Sequence, residues 1–255
     1  MHRQIRSIAF YTLLEALSNH LTWLLLLVAL TGIGLSGFLK ELALTESSQI
    51  QIALMAAFLR ISAVFLLATF VVSSMVREIN DKVLELLLAL PLSRTAYLCG
   101  KLLGFAALAV IAALPFGLLT MFFTALPQTV FWTISLICEL WIVAAFSLLC
   151  VLSFRQTIAA LSIVMGFYLL SRVISAIKLI GQDSLSAHST SQQAIAFLIN
   201  SLSAVLPHLD TFTRTEWLVY QTGNWSELST LLAQSLIFLA LAGSAALFDF
   251  YRKNI

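Results

Sequence analysis

The amino-acid sequence predicts an all-α membrane protein of six transmembrane helices. A helix lying in the membrane interface precedes them, and a short surface helix sits between the second and third spans. Two observations carry this prediction. Of 255 residues, 60% are hydrophobic and 10% charged, with a mean hydropathy of +0.99. Soluble domains carry about 25% charged residues, so this chain lacks the charge to cover a water-facing surface. Its apolar residues also gather into runs of about the 20 residues that a helix needs to cross hydrocarbon. The whole chain, 1–255, reads as one transmembrane domain with no soluble domain and no clear internal repeat.

Residues 1–18 come first. Ile5, Ile8, Ala9, Leu13, Ala16 and Leu17 recur at helical spacing, while Arg3, Arg6, Ser7 and Glu15 tend to the other side, as in an interfacial helix. The first turn of a longer membrane helix is the alternative. The segment lacks the small-residue cleavage site of a signal peptide. The first span is Leu21–Leu39. Gly32, Gly34 and Gly37 match G-x-G-x-x-G, but no strand precedes them, so a dinucleotide loop has no context; small residues that admit a neighbouring helix are the better reading. A polar loop, 40–51, leads to the second span, Ile52–Val76. The third is Leu102–Phe123, where Pro115 is placed to kink it, with Pro127 in the turn beyond. The fourth, Val130–Leu152, joins the fifth, Thr157–Ile177, through residues 153–156. Residues 178–225 form a polar interval with amphipathic helices. Ile195, Leu198, Ile199, Leu202, Val205 and Leu206 share one helical face, ended by Pro207. Thr213 and Glu216 spell a capping box. Trp217, Tyr220 and Trp225 are placed like an aromatic belt. The sixth span is Leu228–Phe248.

With the N-terminus inside, the inner segments hold Arg3, Arg6, Arg77, Lys82, Arg94, Lys101, Arg155, Arg252 and Lys253. The outer loops hold Lys40, Lys178 and Arg214. Basic residues favour the cytoplasmic side, so both termini are expected there, in a multi-pass protein of the inner, cytoplasmic membrane. The net charge of +2 gives no footing for nucleic acid. Cys99, Cys138 and Cys150 lack metal-ligand spacing and read as small hydrophobes. No H-E-x-x-H occurs, and His2, His20, His188 and His208 lie outside the span centres, so neither a metal nor a catalytic set is expected. Thr95 stands where a phosphate-binding loop ending at Gly100 and Lys101 needs its first glycine, so the chain does not hold ATP in that way.

Two groups of charges stand out. In the interval 77–101, Val83, Leu86, Leu87 and Leu90 recur at helical spacing, Asp81, Lys82 and Glu85 face elsewhere, and Pro91 stops the helix. Such a piece can lie on the membrane and offer a charged face to a soluble partner. Glu78, Asp81, Lys82, Glu85 and Arg94 supply both signs, which favours orientation and partner choice over raw affinity. The plain alternative is that they anchor span ends at lipid head groups. Arg60, Glu139 and Arg172 form the second group, inside apolar runs, where each costs about 2.5–3.5 kcal/mol at mid-bilayer. Glu139 is the deepest, and pairing with Arg60 or Arg172 would offset its burial. A structural tie and the lining of a substrate path both remain open for this trio.

The layout, with R-E-x-x-D-K…L-x-L-P-L-S-R…x-G-K between spans two and three, resembles the type 2 ABC transporter permeases. These include the permease of the nitrous oxide reductase maturation system, and ABCG exporters share the architecture. The likeness covers the whole chain in layout and concentrates at Arg77, Glu78, Glu85, Leu90, Pro91, Leu92, Ser93, Arg94, Gly100 and Lys101. It implies a permease dimer, of identical copies or with a paralogue, docked on two separate ABC ATPase subunits. ATP and Mg would reside on those partners, with no cofactor in this chain. Residues 1–18 would be the elbow helix. The region 77–101 would be the coupling region, with the helix around 81–90 seated in an ATPase groove. The turn holding Arg155 would be a smaller contact, and residues 178–225 would contain re-entrant outer helices. Export is the direction implied. The low polarity of the spans points to a lipid-like or hydrophobic cargo, or to a mechanical role on a periplasmic partner. Rival readings are an ion-coupled secondary transporter using Glu139 and a membrane enzyme, the latter disfavoured by the missing catalytic constellation.

Overall fold

A computed structural model describes residues 2–19, 21–42, 47–82, 93–184 and 190–252. Among them the regular elements are helical: α1 (His2–Ser18), α2 (Leu21–Leu42), α3 (Ser47–Asn80), α4 (Arg94–Thr120), α5 (Leu126–Phe154), α6 (Thr157–Ser184), α7 (Thr190–Val205), α8 (Thr215–Tyr220) and α9 (Trp225–Arg252), with a 3-10 turn at Leu209–Thr211. Five of these, α3, α4, α5, α6 and α9, are long and apolar enough to cross a membrane. The number is six if α1 and α2, bent by 55° at their junction, count as one span. The protein is an all-α membrane protein. Of the surface helix expected around 81–90, only Asp81 and Lys82 are among the described residues; the rest, with Glu85, lies outside them.

Helices overrun the apolar runs that announce them, because intrahelical hydrogen bonds continue where polar side chains meet head groups and water. The third span is shifted from its expected bounds. It starts at Arg94, where the Ser93 hydroxyl accepts the Ala96 N–H at 3.3 Å, and it ends at Thr120, leaving Phe123 in the turn beyond. It runs on through Pro115. Pro127 belongs to the first turn of α5 and not to the connection before it. That position suits proline, whose fixed φ fits the helix and whose missing N–H would have no partner there.

Helix α5 is the axis of the bundle. Of its apolar window 72% is buried, against 17% for α9 at the periphery. Trp132, Leu136, Leu140, Val143, Leu148 and Val151 are almost wholly enclosed, and α3, α4, α6 and α9 pack around them. Helix α1 is held along the first half of α4. A Cβ on Gly100 would lie 2.8 Å from the Ile8 Cβ, and one on Gly104 would lie 2.8 Å from the Thr12 Cβ. Residue 8 thus meets residue 100 and residue 12 meets residue 104, so the two helices run in the same direction. Only glycine allows backbones this close, and the pair is spaced as G-x-x-x-G. Of the three glycines in the first span, Gly32 admits Leu59 of α3, whereas a Cβ on Gly34 or Gly37 would meet nothing within 4 Å among the described residues.

Candidate functional site

The charged groups separate into two regions, one at the end of the bundle that carries Arg77 and Arg94, the other deep on the opposite side.

At the first end, α3 finishes at Asn80 and a turn follows. The Asp81 N–H bonds the Arg77 carbonyl at 2.9 Å, and Lys82 takes a left-handed φ of 54°. Asp81 and Lys82 are exposed. Glu78 instead turns into the bundle. It forms an ion pair with Lys101 and accepts the Tyr97 hydroxyl at 2.5 Å. The Lys101 side chain is only 5% exposed, so its ammonium depends on that carboxylate. Arg77 pairs with Glu15 of α1, and Glu15 also accepts the Ser74 hydroxyl at 3.0 Å. Arg94 donates to the Phe250 carbonyl at 3.2 Å and lies over the rings of Phe250 and Tyr251. A cation at the last turn of α9 answers the partial negative charge of that helix terminus. Arg155 caps α5 in a left-handed conformation, φ 53°, and is exposed. The neighbouring Ser153 donates to Asp249 at 3.1 Å. The candidate contact residues therefore divide. Glu78 and Arg94 are tied into the helix ends, Asp81, Lys82 and Arg155 stand on the surface, and Glu85 lies outside the described residues.

On the other side, Arg60 of α3, Glu139 of α5 and Arg172 of α6 converge on the loop after α7. Arg172 Nη1 is 3.0 Å from Glu139 Oε1 and 2.9 Å from the Leu209 carbonyl, while its Nη2 donates to the Phe212 carbonyl at 3.4 Å. Arg60 Nη1 donates to the Thr213 carbonyl at 3.1 Å. The Thr213 hydroxyl donates to Glu139 Oε2 at 2.6 Å, and its N–H to the Ser135 hydroxyl oxygen at 2.8 Å. Buried Tyr168 completes the group; among the described residues its hydroxyl makes no hydrogen bond of good geometry, yet it lies in electrostatic reach of Glu139, Arg172 and Arg60.

The loop reaches this trio by re-entering the bundle. Gln128 of α5 donates to the Gln221 carbonyl at 3.2 Å, near the mouth, whereas Glu139 meets Thr213 further in. At 1.5 Å per residue the drop from 128 to 139 is about 16 Å. Irregular backbone at such depth is tolerated only where protein satisfies its polar groups. The two guanidiniums do so for three loop carbonyls, and Glu139 then balances the half-buried Arg172. Arg60 and Glu139 are 9% and 0% exposed.

Two expectations for this loop need correction. Thr213 does not open a capping box: helix α8 starts at Thr215 with Arg214 as its cap residue and no side-chain cap bond. The Thr213 side chain is taken by the buried carboxylate, a charge-assisted bond stronger than a helix cap. Trp217 is not a belt residue. It is 2% exposed, with its indole N–H donating to Glu227 at 3.2 Å, while Tyr220 and Trp225 are exposed. Sequence reasoning put Glu15 on the polar side of α1 but missed its contact with Arg77, and it missed the G-x-x-x-G at Gly100 and Gly104 as a helix contact.

A helical bundle of five to six spans, charged at one end and plugged by a re-entrant loop at the other, defines a multi-pass membrane protein. The family described as ABC-2 family transporter protein matches residues 38–248. The chain belongs to that family and is a permease subunit of the ABC transporter type. No curated protein matches it significantly.

Proposed function

We propose that this chain is the membrane half of an ATP-driven exporter, worked by separate ATPase subunits. Two copies of an ABC ATPase, carrying ATP and Mg, dock under a pair of permeases, either identical or paralogous. The docking face is the end that carries residues 77–101, with Arg155 as a secondary contact, and both termini lie on the same cytoplasmic side of the inner membrane. The observation that carries this reading is the fixation of that end. Glu78–Lys101, Glu15–Arg77 and Arg94 on the α9 terminus hold α1, α3, α4 and α9 together around the exposed turn at Asp81 and Lys82. A contact element that is to move spans needs such rigid mounting, and exposed charge of both signs suits selective docking.

The cargo proposed is lipid-like or hydrophobic, and a mechanical action on a periplasmic partner is the second form of the same scheme. ATPase stimulation by an added lipid or drug supports transport; its absence with every such compound, together with capture of a periplasmic protein, supports the mechanical form. Closer kinship with the nitrous oxide reductase maturation permeases rests on residues 77–101 and predicts a maturation partner in that capture. An ion-coupled mechanism through Glu139 would require a carboxylate held by Arg172 and Thr213 to exchange protons during the cycle. The deciding experiment is charge reversal at the docking turn. Asp81→Lys and Glu85→Lys should abolish ATPase co-purification while the permease still inserts. Undiminished co-purification would overturn the placement of the contact.

A further inference from the structure

Helix α1 has a second face. Ile8 and Thr12 lie against Gly100 and Gly104 of α4. The outward side carries Arg3, Arg6 and Ser7, then Phe10 and Tyr11, then Leu14 and Leu17, all exposed. The order is basic, aromatic, aliphatic, along about 21 Å of helix. Because residue 8 is level with residue 100, the two arginines stand beside the first turn of α4, at the charged end of the bundle. The aromatic rings stand about one turn deeper, and the leucines deeper again. A phospholipid presents the same sequence of chemistries from phosphate to ester region to acyl chain, and aromatic side chains favour the middle zone.

The basic end of this face also borders a cavity. Arg3, Arg6, Ser7, Phe10 and Tyr11 line a cavity of about 700 Å3, within the roughly 300–1,000 Å3 typical of ligand sites. The two guanidiniums are one helical turn apart, and neither forms an ion pair among the described residues. Phe10 and Tyr11 meet edge to face at 6.4 Å and are 58% and 70% exposed, an aromatic wall below the charges.

We propose that this cavity binds one anionic phospholipid. Its phosphate is held by Arg3 and Arg6, with the Ser7 hydroxyl within the same lining, and its acyl chain lies over Phe10, Tyr11 and Leu14. Arginine suits the task because its planar fork can grip two phosphate oxygens at once. The lipid would fill the outward face of a helix whose other face is committed to α4.

The test is lipid binding by the purified full chain, read by native mass spectrometry. Phosphatidylglycerol and phosphatidylcholine with the same acyl chains are compared, with glycerol phosphate as the head group alone. A basic residue near an anionic surface contributes about fivefold, so the pair should give a preference for phosphatidylglycerol of roughly thirtyfold. The preference should fall towards parity in R3Q/R6Q, and glycerol phosphate should not displace the lipid. Equal binding of the two lipids by the unmodified chain, or an unchanged preference in R3Q/R6Q, overturns the proposal. Displacement by glycerol phosphate overturns it too, since the site would then be one for soluble phosphate. Should R3Q/R6Q fail to insert, the salt response of the unmodified chain decides. A preference that shrinks as salt rises supports the site, and one indifferent to salt refutes it.

Discussion

Replacing Glu139 by glutamine removes the carboxylate paired with the half-buried Arg172, and leaves the buried Arg60 guanidinium close by without a counter-charge. The Glu139 side chain is fully enclosed, and Arg172 is 19% exposed at its side chain, so little water is at hand to take over. Breaking a buried ion pair from one side costs about 3–5 kcal/mol. A chain of this length loses roughly 2–4 °C of melting temperature per kcal/mol, so E139Q should melt about 6–20 °C lower. Arg60→Met is a milder change. It leaves the Glu139–Arg172 pair closed and forfeits a hydrogen bond to the Thr213 carbonyl, a loss of about 1–3 kcal/mol. It also removes the surplus positive charge. The double variant E139Q/R60M should therefore be more stable than E139Q alone. Thermal unfolding of detergent-purified protein, followed by tryptophan fluorescence, reads all three; Trp132 and Trp217 are buried reporters. If R60M proves costlier than E139Q, or if the double variant melts below E139Q, charge balance is not what holds the loop in place.

Glu78→Gln should likewise destabilise by about 3–5 kcal/mol, because it strands the ammonium of Lys101, and adding Lys101→Met should restore much of the loss in the same melting assay. Gly104→Leu drives a side chain into Thr12 and should cost about 1–3 kcal/mol, read also as faster tryptic cleavage after Arg3 and Arg6 as α1 detaches. Arg155→Gly relieves a left-handed residue and should stabilise by about 1 kcal/mol, seen as a small rise in melting temperature. Under the proposed docking, the same variant should retain less ATPase on co-purification.

The spans were legible because a membrane imposes length and apolarity on every crossing helix; five helices satisfy both, and the first expected span does so only together with α1. Their ends were not, since hydropathy marks where hydrocarbon stops and says nothing of where backbone hydrogen bonds stop; Arg94 and Ser47 lie beyond any apolar run. The trio of intramembrane charges was visible as a cost needing compensation. Which arginine would meet Glu139 was not, because both Arg60 and Arg172 lie on the same side of the bundle, and both turn out to serve the loop carbonyls. Thr213 illustrates a harder limit. A hydroxyl before a helix has a local use, and only the fold reveals a carboxylate that outbids it. Trp217 was misplaced for a related reason, as an indole suits an interface or a core equally well and Glu227 supplied its N–H with a partner inside the protein. Gly100 and Gly104 did carry a readable signal, small residues four apart.

The interlocking of α1 with α4 has a mechanical consequence. Teeth set at two glycines stop either helix from sliding past the other, and bonds from Glu15 and Glu78 pin both to the end of α3. Lys82 and Ser93 are thus carried by two helices, α3 and α4, whose spacing α1 fixes. Under the proposed docking, a push delivered at this end meets no slack at those mountings and tilts the three helices as a single strut, its deep end fastened through Arg60 to the plug.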